Sequence, residues 1–378
     1  MGDRSSSKSR AGTGADVSAA SQATVDIVAD AASADGLERP PLVVLDAVEA
    51  FLDAHGLGHG QVTAIRIGEG SSNATFLLQR GDERFVLRRP PRPPFPASAH
   101  DVVREARLQQ AMAAEGVRVP TVLAVAEDPS LLGVAFSISE FVEGHVLTRE
   151  LPAMLEQDPA ARREAVVDVL RALTEIHGVD ISSPAVVPFV RKGNYIDRQI
   201  RRFRALWEAN ATRVIPEVTE LGDWFERTRP REVDSTVIHG DFRLGNVMIG
   251  LDRPPRVAAV LDWEMGAVGD PRADLGYLLA TYSHTGSRRT PLELTPVTAR
   301  EGFPTPAELV DLYVQLTSRN VESLRWFEAF ALWKGAVFCE AIYGRYLRGE
   351  MDHDPFAASL GTGVPGLVRA AVTVAGEL

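Results

Sequence analysis

The hydrophobic period of this 378-residue chain changes at Gly144, and that change narrows the folds open to it. Before Gly144, short runs at 62–67, 74–79, 84–89, 122–126 and 135–141 carry the two-residue alternation of strands. Gly-rich or charged turns separate the first three runs, as in an antiparallel meander. A helix over 42–55, stopped by Gly56 and Gly58, precedes them. The proline-rich stretch 90–96 predicts an extended loop, and Ser98 with Asp101 forms a capping-box pattern that opens a helix to about Ala114.

After Gly144 the period is helical, at 165–177, 196–209, 218–227 and 322–348, with one hairpin pairing 247–249 with 257–261. The fold class is therefore α+β and bilobal. A small sheet-rich N-lobe occupies 39–143, a mostly helical C-lobe occupies 144–378, and the crossover lies near 141–147. Residues 1–38 are rich in Ala, Ser, Gly and Asp, have little to bury, and read as a flexible arm. Within it, Val25, Ile27 and Val28 are weak docking residues.

The formal net charge of −11 argues against nucleic acid as the main partner. The single cysteine, Cys339, excludes an intrachain disulfide and a cysteine-rich zinc site, which fits a cytoplasmic protein. No apolar run reads as long enough to span a bilayer, so no membrane association is expected, and the N-terminus lacks a secretion signal. Met1-Gly2 with Ser6 matches a myristoylation pattern too short to carry weight. Arginine supplies nearly all the positive charge, since the lysines are only Lys8, Lys192 and Lys334.

The strongest chemical signal is His239-Gly240-Asp241-Phe242-Arg243-Leu244-Gly245-Asn246, followed by Leu261-Asp262-Trp263-Glu264. Phosphoryl transfer needs an aligned nucleophile, an acceptor for its proton, and neutralised phosphate charge. Asp241 can take the proton, while Asn246 and Asp262 offer hard oxygens to Mg²⁺.

This pattern resembles the aminoglycoside phosphotransferase family, relatives of the protein kinases. Gly240 replaces the kinase arginine, and Asp262-Trp263-Glu264 replaces the last kinase triplet. Gly269-Asp270-Pro271 and Asp274-Leu275 resemble the segment closing the family's motif. The resemblance implies a protein-kinase-like fold, and ATP and Mg²⁺ as cofactors. It also implies a phosphate-covering loop at Gly68, Gly70, Ser71, Ser72 and Asn73, whose glycines let the backbone approach phosphate. Val86 would lie under adenine and Arg88 would point at the phosphates, on one face of a strand. Arg88 stands where kinases carry lysine, a change of shape and hydrogen-bond geometry, and Arg89 reads as the solvent-facing neighbour. Glu105 is the expected partner of Arg88, Glu140 and Val142 the adenine-binding backbone, and His177, Asp180 and His239 structural braces.

Two later stretches, 194–203 and 341–347, resemble the branch of kinase-like domains found with acyl-CoA dehydrogenases. That branch implies phosphorylation of hydroxyacyl thioesters. The alternatives are an aminoglycoside-modifying kinase or a nucleotide-binding regulatory module without turnover. Arg198, Arg201 and Arg202 fall at three- and four-residue spacings on one helix, so they share a face. That face predicts an anionic hydroxylated small molecule as substrate and repels polycationic aminoglycosides.

Overall fold

The computed structural model describes residues 25–35, 37–68, 73–92, 101–250, 252–287, 290–350 and 354–376. Two short strands, β1 (Ile27–Val28) and β2 (Val43–Val44), pair in parallel ahead of helix α1 (Leu45–Ala54). The arm expected to run to residue 38 is therefore anchored within its last part, and Val28 is buried. The expected helix at 42–55 starts later because Leu42 and Val43 donate their amides to the Asp26 carbonyl instead. Helix α1 buries Val48, Phe51 and Leu52 at helical spacing, and Gly56 follows it at a φ of +66°.

Five antiparallel strands make the N-lobe sheet: β3 (Val62–Ile67), β4 (Ala74–Arg80), β5 (Glu83–Arg89), β6 (Val122–Ala126) and β7 (Phe136–Glu140). Their spatial order is β3-β4-β5-β7-β6. Phe76, Leu78, Phe85, Leu87, Phe136 and Ile138 point to one side, where α1 completes a small core. The inserted helix α2 (Val102–Ala114) is capped by Asp101, whose side chain accepts from the Arg104 amide. Asp101 is thus the cap itself and not the third residue of a box; Ser98 lies outside the described residues. Leu108, Ala111 and Met112 of α2 belong to the large core rather than the sheet core.

Gly144 marks the crossover. Its φ is +154°, and a Cβ there would lie 2.4 Å from the Ile249 carbonyl oxygen, so only glycine lets these backbones meet. Strand β8 (His145–Val146), short helix α3 (Ala153–Glu156) and helices α4 (Pro159–His177), α5 (Tyr195–Asn210) and α6 (Pro216–Arg227) follow. Strand β9 (Thr236–Ile238) pairs with β12 (Ala267–Gly269). Between them, β10 (Val247–Ile249) and β11 (Val257–Val260) form the expected hairpin, extended by β8 in the order β11-β10-β8.

Helices α7 (Arg272–Thr281), α8 (Pro306–Thr317), α9 (Leu324–Leu347) and α10 (Pro355–Gly376) complete the C-lobe. Helix α9 runs through its centre, buried along most of its length, with Trp326, Phe330 and Trp333 gathered around Phe225. Helix α10 corrects one expectation: it is long and apolar enough to cross a membrane by length and composition. Alanine, valine and leucine keep its mean hydropathy high although glycines, threonines and Arg369 break any continuous apolar run. In the fold it packs along α9, burying Leu360, Val364, Leu367 and Val368.

Candidate active site

The two small sheets of the C-lobe bring the motif residues together. His239, Gly240 and Asp241 leave the end of β9, while Asn246 directly precedes β10 and Asp262 closely follows β11. Val247 pairs with Val260, and the Leu261 amide donates to the Asn246 carbonyl at 2.8 Å. The hairpin register thereby sets Asn246 and Asp262 side by side.

Asn246 Nδ2 donates to Asp241 twice, at 2.9 Å to its carbonyl and 2.7 Å to Oδ2. The Asp241 carboxyl is recessed yet reachable, with 22% of its side chain open to solvent. Burial pushes its pKa above the ordinary carboxylate range and Asp262 pushes the same way. Arg243, at 3.8 Å, and the Tyr277 hydroxyl pull it back. Sequence reasoning missed Tyr277; its position on α7, among apolar residues, marks it only as core.

A buried clamp holds this loop. The amides of His239 and Gly240 each donate to Asp274 at 2.7 Å, and His177 Nε2 faces the same carboxylate at 3.2 Å. Asp274 is fully buried, and these contacts hold its pKa below the usual range despite the opposing effect of burial. His177 Nδ1 in turn meets the Tyr313 hydroxyl at 2.8 Å. His239 accepts the Asp241 amide at Nδ1 and so donates from Nε2 to the Leu261 carbonyl at 2.8 Å. Both ring nitrogens are engaged, which makes His239 a brace. Gly240 has φ +82°, and a Cβ would lie 2.6 Å from the Met265 carbonyl oxygen; this is the physical reason for glycine in place of the kinase arginine.

Across the cleft, Arg88 projects from β5 and joins three carboxylates. Its Nε meets Glu105 at 3.0 Å, its Nη2 binds Asp262, and Glu264 lies at 3.9 Å. Burial pushes the Glu105 carboxyl up against the pull of the Arg88 guanidinium. Three carboxylates around one guanidinium leave a surplus of negative charge, and Asp262 itself sits in the left-handed region at φ 66°. Val86 and Arg88 share the partly exposed face of β5, as expected, whereas Phe85, Leu87 and Arg89 share its buried face.

Arg89 is therefore not the solvent-facing residue predicted. It is buried, and its guanidinium is satisfied by the carbonyls of Leu42, Pro90 and Leu132. Asn73 also departs from expectation: its amide turns inward and bridges Glu105 and Glu264, at 3.4 and 3.2 Å, rather than facing a phosphate. Gly68 has φ +76°; Gly70, Ser71 and Ser72 lie outside the described residues. The Glu140 side chain accepts from the Thr121 amide at 2.8 Å. Val142 has no backbone hydrogen-bond partner among the described residues.

The three helix arginines do not act as one face. Arg198 donates to the carbonyls of Lys192 and Gly193 and so tethers its own N-terminal turn. Arg201 lines a shallow surface cavity with Asp197, Ile200, Glu226 and Arg229. The Arg202 charge bears on Arg104 of α2 and on Lys334 of α9.

A mouse protein, acyl-CoA dehydrogenase family member 10, is 32% identical over 317 residues, covering 81% of this chain and 29% of the relative. The chain thus spans under a third of that protein's length. Among solved structures, a proposed aminoglycoside phosphotransferase from Ralstonia eutropha superposes with a TM-score of 0.72 at 29% identity, over 88% of this chain and 98% of that one. An aminoglycoside phosphotransferase in ternary complex with AMP-PNP and hygromycin B gives 0.55 at 19% identity, over 85% and 98%, and speaks to the fold alone. The sequence model of the family described as Phosphotransferase enzyme family matches residues 63–309, the stretch from the first sheet strand through α7 and into α8 that carries Arg88, Glu105, Asp241, Asn246, Asp262 and Asp274. By that match the chain belongs to the phosphotransferase enzyme family.

Proposed function

We propose that this chain is an ATP- and Mg²⁺-dependent kinase that phosphorylates a hydroxyl group of a small molecule. The observation that carries this reading is the meeting of Arg88, Glu105 and Asp262 in one ion cluster beside the joined pair Asp241 and Asn246. In this reading Val86 forms the apolar floor for the adenine, and the Val142 backbone groups, which have no partner among the described residues, bind its edge. Arg88 orients the outer phosphates. Among the described residues the Asn246 amide oxygen has no partner while its nitrogen is spent on Asp241, so Asn246 and Asp262 fit a hard divalent cation, and the surrounding carboxylate surplus favours one. Mg²⁺ bound there would neutralise charge between the outer phosphates.

The acceptor oxygen attacks the γ-phosphorus, the bond to the ADP oxygen breaks, and the hydroxyl proton passes to Asp241. Desolvation raises the basicity of Asp241 toward that task, and Asn246 fixes which oxygen faces the acceptor. The relatives carry acyl-CoA dehydrogenase in their names, and we take a hydroxyacyl thioester to be the acceptor in preference to an aminoglycoside. The test is ADP release from ATP across a panel of hydroxy acids, their coenzyme A thioesters, and aminoglycosides. Asp241→Asn should keep ATP binding and lose turnover on the order of a hundredfold or more. Near-normal turnover in that variant would remove Asp241 from the mechanism.

A further inference from the structure

Lys334, in the middle of α9, is 8% exposed, and its ammonium has no hydrogen-bond or ion-pair partner among the described residues. Buried charges are ordinarily paired, because an uncompensated one loses its hydration without return. Lys334 has instead two aromatic faces, with its nitrogen 5.0 Å from the Phe203 ring centre and 5.8 Å from that of Phe330. The nitrogen is not among the fully sealed unsatisfied atoms, so it keeps a narrow opening. Helix α9 packs on α5 and α7, and α7 carries the Asp274 that holds the loop leading to Asp241, so Lys334 lies in the same part of the C-lobe as that loop. Of the charges that bear on the lysine, Arg202 comes from α5, Asp274 from α7, and Asp241 from the loop after β9.

We propose that Lys334 is the specificity-determining residue of the acceptor pocket, binding an acyl oxygen (a carboxylate or a thioester carbonyl) on a molecule whose hydroxyl faces Asp241. The inference deepens the phosphotransferase reading and rests on it for the position of the acceptor. An unpaired ammonium walled by rings is poised to gain a partner when such an oxygen arrives, and Arg202 adds positive charge on the same side. Burial, with the help of Arg202, pushes the lysine pKa down to about 8, while Asp241 and Asp274 pull it back. A ligand oxygen would raise it again, so binding near pH 8 should take up a proton.

The experiment uses the full chain, Lys334→Met and Lys334→Arg, with hexanoate and hexanoyl-coenzyme A as probes that carry the acyl oxygen but no hydroxyl. Calorimetric titration at pH 8, in two buffers of different protonation enthalpy, reads affinity and proton uptake independently of turnover. Wild type should bind at least one probe with proton uptake. Lys334→Met should bind that probe at least tenfold more weakly without proton uptake, and Lys334→Arg should retain binding without proton uptake. Which probe binds decides between carboxylate and thioester carbonyl. Lys334→Met should also melt no lower than wild type, since a buried unpaired charge is removed.

Equal affinity and proton uptake in wild type and Lys334→Met, or failure of both probes to bind wild type at millimolar concentration, would overturn the proposal. If the probes bind as expected and no hydroxylated acceptor is ever phosphorylated, the Lys334 assignment stands and the kinase reading fails.

Discussion

Asp274→Asn tests how the catalytic loop is held. In the wild type, Oδ2 accepts from the His239 amide and faces His177 Nε2, while Oδ1 accepts from the Gly240 amide. Asparagine can keep one oxygen in the Oδ2 position but must then present an NH₂ group to the Gly240 N–H. One buried amide loses its acceptor, at about 1–3 kcal/mol, and two further contacts fall from charged to neutral strength, at about 0.5–1.5 kcal/mol each. The total of about 2–6 kcal/mol should lower the apparent melting temperature by several degrees or more, since about 1 kcal/mol moves a domain of 150–250 residues by about 2–4 °C.

The sign of the pH dependence follows from the depressed pKa of Asp274. A carboxylate held below its unfolded value contributes stability that is fully present above that value, about 3.9, and is lost as pH falls through the folded value. The gap between wild type and variant should therefore be flat near neutrality and close in acid. Because Asp241 directly follows Gly240, turnover should fall by about tenfold or more even when ATP binding persists. Scanning calorimetry from pH 3.5 to 8, with ADP release alongside, measures both. An unchanged melting temperature, or a drop in stability with turnover within twofold of wild type, would refute the idea that this clamp positions the base.

Asp262→Ala should weaken Mg·ATP binding by about 10–100-fold or more, since a direct ligand matters at least as much as an outer-sphere partner; unchanged metal dependence in calorimetry would leave Asp262 a loop anchor only. The acid limb of kcat/KM should lie above the ordinary aspartate range because the Asp241 pKa is raised, and Arg243→Gln should move it further up; a limb that stays put would show that Arg243 does not act on the base. Arg89→Met should destabilise the N-lobe by about 2–3 kcal/mol, the cost of leaving buried carbonyls without donors; denaturant unfolding at wild-type midpoint would contradict the burial of that side chain.

Much of this was legible in the sequence where a residue's role follows from local spacing. The sheet strands and the hairpin that joins Asn246 to Asp262 follow from alternation and turn chemistry, whereas the Arg88–Glu105 pair was expected from the family resemblance. Arg89 was misread although alternation puts it on the face of Phe85 and Leu87, because a charge suggests solvent and nothing local reveals three backbone carbonyls waiting for it. Asn73 was misread because an amide beside a glycine-rich loop serves equally as a phosphate contact or a bridge between carboxylates. Lys334 and Tyr277 were invisible as site residues. Helix α9 is buried around most of its circumference, so its pattern shows no face, and Asp241 reaches both residues only through tertiary packing.

The inserted helix α2 has its apolar residues in the core of the larger lobe, and Arg104 ties it there through the carbonyls of Glu264 and Gly266. Its Glu105 nevertheless grips an arginine on the sheet of the smaller lobe. The helix also packs on β6 and β7 of that sheet, so it is anchored to both walls of the cleft. Arg88 of the smaller lobe is held at once by Glu105 and by Asp262 of the larger lobe, so the ion cluster ties the two walls of the cleft, and any parting of those walls must break the Arg88–Asp262 pair.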